Sequence, residues 1–211
     1  MIKREEFIGE WLNFEMMIES DDSAMQKVWE EAEASVNNNQ ALARMFAHGV
    51  RNFWRMACDT TKLEHSPRLK RAVVTLENKH YYLEVFDLED KSLGKYAYEL
   101  ESIIEHGLEG QANAMYVASD TPLDYPYKYV MAMAPMPSRN TKNEGGLISH
   151  IHFQFASARE LLVDENNNLR NPMWYPTVCD NDSTRLQKCN IVRALHKMPA
   201  WSEEDLVKIT K

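Results

Sequence analysis

The sequence predicts a mainly β domain with flanking helices, its strands forming an antiparallel barrel or sandwich. Three observations carry that expectation. Between residues 68 and 156 the apolar side chains recur with period two, in six stretches separated by short turns. Before that region they recur at helical spacing. After it, two prolines force an extended segment, and Ser/Asp capping patterns then return the chain to helix.

At the N-terminal end Phe7, Trp11, Phe14, Met17 and Ile18 fit one face of a helix, although Gly9-Glu10-Trp11 can equally open a first strand. Ser23 and Gln26 form a capping box for a helix over about 23–35, which Asn37 to Asn39 break. A further helix is expected over roughly 40–57, where Leu42, Met45, Phe46, Val50, Phe53 and Trp54 make an aromatic and methionine stripe that reads as core packing. The period then changes. Residues 68–77 and 80–89 alternate around an Asn78-Lys79 turn and read as a β-hairpin. Strands follow at 94–104, 111–119 and 127–134, with Gly107, Gly110 and a Pro-rich turn between them. A polar loop over 134–146 leads to the last stretch, 147–156, LISHIHFQFA. In the tail, Ser157 and Glu160 are expected to cap a short helix, 171–178 to be extended, and helices to cover 183–197 and the segment capped by Ser202 and Asp205. The whole, 1–211, reads as one domain: helical over about 5–57, barrel strands over about 68–156, mixed over 157–211.

Composition narrows the function. The net charge is −8, and the densest basic cluster, Arg68, Lys70 and Arg71, is too small to follow a phosphate backbone, which argues against nucleic acid. No apolar run is long enough to span a membrane, and the start MIKREEFIGEW lacks the apolar core of an export signal. Cys58, Cys179 and Cys189 are an odd set without CxxC spacing. Reduced thiols in a cytoplasmic protein are therefore expected, with a Cys179–Cys189 bridge as the alternative for an exported chain. Phosphate-binding glycine loops, the GxSxG elbow and HExxH are all missing, so the chain reads as a binding protein rather than an enzyme.

The sharpest chemical feature is His150-x-His152. On a strand the two imidazoles share a face, ~6–7 Å apart, within reach of one metal ion. They supply half of a tetrahedral zinc site, and a third ligand must come from elsewhere. His80 is the candidate, since it opens a strand and shares its face with Tyr82 and Glu84. The second feature is a set of aromatic and methionine positions on strand faces, Tyr129 and Met131 among them, which could line a barrel around an apolar ligand or simply form its core. Tyr82, Glu84, Tyr129, Met131 and Gln154 are the candidate ligand-binding residues.

The order of these pieces resembles the ZinT/YodA family of calycin-like (lipocalin-related) zinc-binding proteins. FIGEWLNFEMMIES followed by a helix is similar to that family's Trp-containing opening, YKYVMAMA to the strand before its metal-binding strand, SHIHFQFAS to its Ser-His-aromatic-His strand, and NPMWYPT with WSEEDLVKI to its closing elements. The resemblance implies a calycin-like antiparallel β-barrel that binds zinc through three histidines, two of which carry over to His150 and His152. The family's third histidine lies on the preceding strand, which here offers Met131 and Met133 and no histidine.

Three functions follow as expectations. The first is a cytoplasmic binding protein for a divalent metal, zinc, at His150 and His152. The second is a barrel that binds an apolar or aromatic small molecule, with the histidines as polar groups in its lumen. The third is an enzyme using histidine with Tyr81, Tyr82 and Glu84 as acid/base groups. The partner expected is a metal ion or small molecule, with no nucleic acid and no membrane, and a homo-oligomer is left open.

Overall fold

The computed structural model describes residues 2–38, 40–139 and 148–209. Leu147 and residues 140–146 of the expected polar loop lie outside them. Eight strands close into an antiparallel barrel in chain order, each paired with its neighbour and the last with the first. They are β1 (Gly9–Asn13), β2 (Leu69–Glu77), β3 (His80–Asp87), β4 (Ser92–Ile104), β5 (Asn113–Ala118), β6 (Tyr129–Ala132), β7 (His150–Ala156) and β8 (Thr177–Asp180). This is a calycin-like barrel, and closure leaves no unpaired strand edge.

Six of the strands fall where the alternation puts them; the barrel needs two more. The first, β1, occupies part of the stretch whose apolar spacing suggests a helix. Helical spacing there is a coincidence of three short pieces: a 3-10 turn (Arg4–Phe7), β1, and a one-turn helix α1 (Glu15–Ile18). Trp11 belongs to the strand, fills the lumen, and donates its indole N–H to the Phe7 carbonyl at 2.7 Å. The second, β8, begins at the end of the segment expected to be extended, 171–178, and runs two residues beyond it.

These two strands form the seam of the barrel. Trp11 pairs with Asp180, Leu12 with Cys179 and Asn13 with Val178. Arg139 bolts the seam from the side. Its guanidinium sits 2.8 Å from the fully buried Asp180 carboxylate, donates to the Ile8 carbonyl, and stacks 4.9 Å from the Trp11 ring. Below the seam Asn13 donates to the Leu69 carbonyl at 2.6 Å and to the Glu15 carboxylate at 3.0 Å. Burial pushes the Glu15 carboxyl up, against the opposing pull of Arg68.

Cross-strand register decides which side chains enter the lumen. Ala72 and Val74 pair with Val85 and Leu83, Tyr81 with Tyr98, Ala132 with Phe153, and Ile151 with Val178. These residues line the lumen with Trp11 and Phe7, and all but the two tyrosines make or pack against the first hydrophobic core. The β2–β3 hairpin turns at Asn78 and Lys79, both with positive φ (49° and 71°), the conformation that suits the twist of a two-residue hairpin.

The second core lies outside the barrel, where helices pack against it. Helix α2 (Ser23–Asn37) buries Ala24, Met25, Val28, Trp29, Ala32 and Val36, and the Trp29 indole donates to the Met17 carbonyl at 2.9 Å. Its cap is Asp22, which accepts from the Met25 N–H at 2.9 Å; the expected Ser23 cap is instead its first helical residue. The helix expected over 40–57 is two, α3 (Gln40–Met45) and α4 (Val50–Cys58), parted at Gly49 by a φ of 90° that an L-residue rarely adopts. Ser157 does not cap a helix either. Its N–H and hydroxyl bind the Glu64 carboxylate, and only a 3-10 turn (Arg159–Leu161) follows. Helix α5 (Arg185–Leu195) begins in a complete capping box of Thr184 and Gln187. Before α6 (Glu203–Ile209), Ser202 and Asp205 bond reciprocally as expected. All three cysteines are buried free thiols. No helix among the described residues is long and apolar enough to cross a membrane.

Candidate functional site

On β7 the alternation that sends Ile151 and Phe153 into the lumen sends His150 and His152 outward. The histidines are therefore not lumen groups. They form the floor of a groove of about 490 Å³ between the outer barrel wall and the helices. Thr177 and Cys179 of β8 continue the floor, directly opposite His152 and His150 in the ladder. Phe53, Trp54 and Ala57 of α4 and Ile191 and Leu195 of α5 contribute apolar wall. Glu109, held with a φ of 54° in the 3-10 turn Leu108–Gly110, stands at the polar end.

Hydrogen bonds fix the tautomers. The His150 Nδ1 lies 3.3 Å from the Ile148 carbonyl, which can only accept, so that nitrogen carries the proton. The Thr177 hydroxyl gives its one hydrogen to the Tyr175 carbonyl at 2.9 Å. It must therefore accept from His152 Nδ1, 2.8 Å away. Both Nε2 atoms are left as bare lone pairs in the neutral rings, whose centroids are 5.1 Å apart. Burial pushes both pKa values down, that of His152 to about 4 with a smaller push from His150, so both rings are neutral at pH 7.

This is the arrangement in which a ligating histidine is usually held: one ring nitrogen anchored, the other free for a cation. The His152 Nε2 also faces the Glu109 Oε1 at 3.5 Å. With His152 neutral, a lone pair confronts a carboxylate oxygen with no hydrogen between them, a repulsion that a cation or a proton placed there would relieve.

The buried thiols offer less. Cys58 Sγ is 3.8 Å from the Thr177 hydroxyl, and burial pushes its pKa up to about 12. Burial raises the Cys179 thiol as well. Neither is the exposed, electropositive setting of a reactive thiolate.

The other residues singled out in the sequence do not join this site. His80 is exposed at the start of β3, and β3 lies four strands from β7 in a ring of eight, on the opposite wall. It cannot be the third ligand to the pair. Glu84 and Tyr82 lie on that same strand, with Lys95 Nζ 5.4 Å from the Tyr82 ring, and Tyr82 also borders the lumen cavity. Tyr81, Tyr82 and Glu84 therefore cannot act together with His150 and His152 on one substrate. Tyr129 and Met131 sit on β6, and Met131 is fully buried, paired with Gln154. The Gln154 amide is spent on the Asn171 and Trp174 carbonyls, at 2.8 and 2.5 Å, and pins the segment that leads into β8. The residues that sequence reasoning missed are Thr177 and Glu109. Thr177 carries no signal, and Glu109 shows only as an acidic residue between Gly107 and Gly110.

No protein-family model matches this sequence, and no curated protein does. The donor set has to be judged on its own chemistry. Among the described residues no three or more His, Cys, Asp and Glu side chains are gathered closely enough to enclose a metal. The two histidines supply at most two donors, which does not make a closed three-histidine centre.

Proposed function

We propose that this calycin-like barrel is a binding protein whose ligand site is the outer groove, and that it takes a divalent transition ion such as zinc at His150 and His152. The observation that supports this most strongly is the pair of anchored imidazoles presenting two bare Nε2 atoms to one space. Glu109 is the nearest further donor, and a small shift of its turn would bring its carboxylate to the ion. On this reading the chain is an affiliate of the ZinT/YodA family that has kept two histidines and replaced the third by a carboxylate from a different element. The protein's part is to hold both rings neutral and oriented, and to shield the site with aromatic walls. The ion itself would supply positive charge to whatever donor completes the coordination.

Zinc calorimetry on the wild type and on His150→Ala/His152→Ala tests this. One zinc per chain at neutral pH, lost in the double variant and weakened roughly 10–100-fold in Glu109→Gln, supports it. No zinc binding by the folded wild type, or undiminished binding by the double variant, overturns it.

The size of the groove favours a second reading. An ion occupies little of about 490 Å³, and the apolar remainder suits a small aromatic molecule whose N–H or O–H donates to an Nε2 atom. A small molecule retained in native mass spectrometry of metal-free protein, and lost on Ala57→Trp, would favour this over the ion.

A further inference from the structure

Among the described residues, the methionines that count as exposed large apolar side chains are Met45, Met56 and Met173, and all three border the groove above His150 and His152. A further thioether stands beside the histidines themselves. Met136 follows β6 and bridges to His150: the Met136 N–H donates to the His150 carbonyl at 2.9 Å, and the His150 N–H to the Met136 carbonyl at 3.0 Å. Residues paired directly across antiparallel segments carry their side chains on one face, with Cβ atoms ~4.5–5.5 Å apart. Met136 is half-buried, and its Sδ accepts a long, weak hydrogen bond from the Gln111 side chain at 3.9 Å. Gln111 stands two residues after Glu109, whose Oε1 lies 3.5 Å from His152 Nε2, so the thioether sits at the polar end of the groove.

This neighbour changes the donor set. His, Cys, Asp and Glu alone do not gather three donors among the described residues. With Met136 there are three, two imidazoles and a thioether. Imidazole serves many transition ions, whereas thioether sulfur selects copper(I) and is not among the usual ligands of zinc. It also binds as it stands, whereas the thiol of Cys179, opposite His150 on β8, must first lose a proton. We infer that the groove is a copper(I) site, with His150 and His152 binding through Nε2 and Met136 through Sδ. Met45, Met56 and Met173 offer the entering ion soft donors at the mouth. The inference rests on the groove being a metal site and names the ion its sulfur favours.

Copper(I) transferred from bicinchoninate in anaerobic buffer, with zinc followed by calorimetry, tests the assignment. The wild type takes one copper(I) per chain. Met136→Leu, a volume-conserving change that keeps the fold, weakens copper(I) at least about tenfold and leaves zinc within about twofold. Glu109→Gln and Cys179→Ser leave copper(I) within about twofold. X-ray absorption of the copper-loaded chain shows a sulfur neighbour that disappears in Met136→Leu. Zinc bound with copper(I) refused, copper(I) affinity unchanged in Met136→Leu, or a sulfur neighbour that survives that substitution overturns the copper assignment and leaves the zinc reading standing. Failure of both ions to bind overturns both.

Discussion

The two cavities share two strands, β7 and β8, and differ in size and chemistry. Ile151 and Phe153 face the lumen, and His150 and His152, interleaved with them, face the groove. The lumen is small and packed with aliphatic and aromatic side chains; the groove is several times larger and places two neutral imidazoles, a hydroxyl and a carboxylate among aromatic walls. The comparison teaches that in this barrel the interior serves mainly as core, while recognition chemistry sits where helices cover the outer wall. A strand buried on both faces can carry packing on one and ligands on the other, since side chains alternate strictly.

The contrast breaks first at the core. Trp11→Ala should destabilise by about 3–5 kcal/mol and lower the melting temperature by roughly 10 °C, because the lumen cannot collapse around the lost indole. Met56→Ala, on the groove rim, where the side chain is 56% exposed, should stay within about 0.5 kcal/mol. Equal losses at the two sites would mean that the groove helices, not the lumen, hold the barrel together.

Arg139→Ala is expected to cost about 3–5 kcal/mol in chemical denaturation, since it removes the cation paired with the buried Asp180 carboxylate at the β1–β8 seam. A loss below about 1 kcal/mol would show that the seam does not depend on that ion pair.

The groove has its own signature in pH. His152 has its pKa lowered from 6.5 to about 4 in the folded chain. Between those values the unfolded chain takes up a proton that the folded one refuses, so stability is lost as pH falls from 6.5 toward 4. The full loss is roughly 3 kcal/mol, and His150 adds to it in the same direction. Melting curves at pH 7 and 4.5 with a chelator present should show a shallower decline in His152→Gln than in the wild type. An unchanged slope would mean that burial does not hold the ring neutral. The smallest effect is expected at Glu109, 42% exposed, where Glu109→Gln should alter metal-free stability by less than about 0.5 kcal/mol.

These residues also show what was legible in the sequence. Strands β2 to β7 announce themselves by alternation, and the outward or inward parity of His150 against Ile151 is explicit in LISHIHFQFA. Which parity faces the lumen is not written there. It depends on closure by β1 and β8, and these two strands are the ones that local pattern hides. Strand β1 is five residues long and flanked by turns that mimic helical spacing around Trp11. Strand β8 is buried at all four positions, so Thr177 and Cys179 show no alternation. With the seam invisible, His80 could pass for a neighbour of His150. Tertiary pairing across more than 160 residues, as between Trp11 and Asp180, lies beyond any local period.

The groove is read as holding two imidazoles with protons on Nδ1 and bare Nε2 atoms turned to a common ligand. Long-range ¹H–¹⁵N correlation spectra of the histidine side chains, recorded during a zinc titration at pH 7, test it directly. Nδ1–H tautomers are expected for His150 and His152 before zinc is added, with a shift of both Nε2 resonances that saturates at one equivalent. Nε2–H tautomers, or Nε2 resonances that zinc leaves in place, would contradict it.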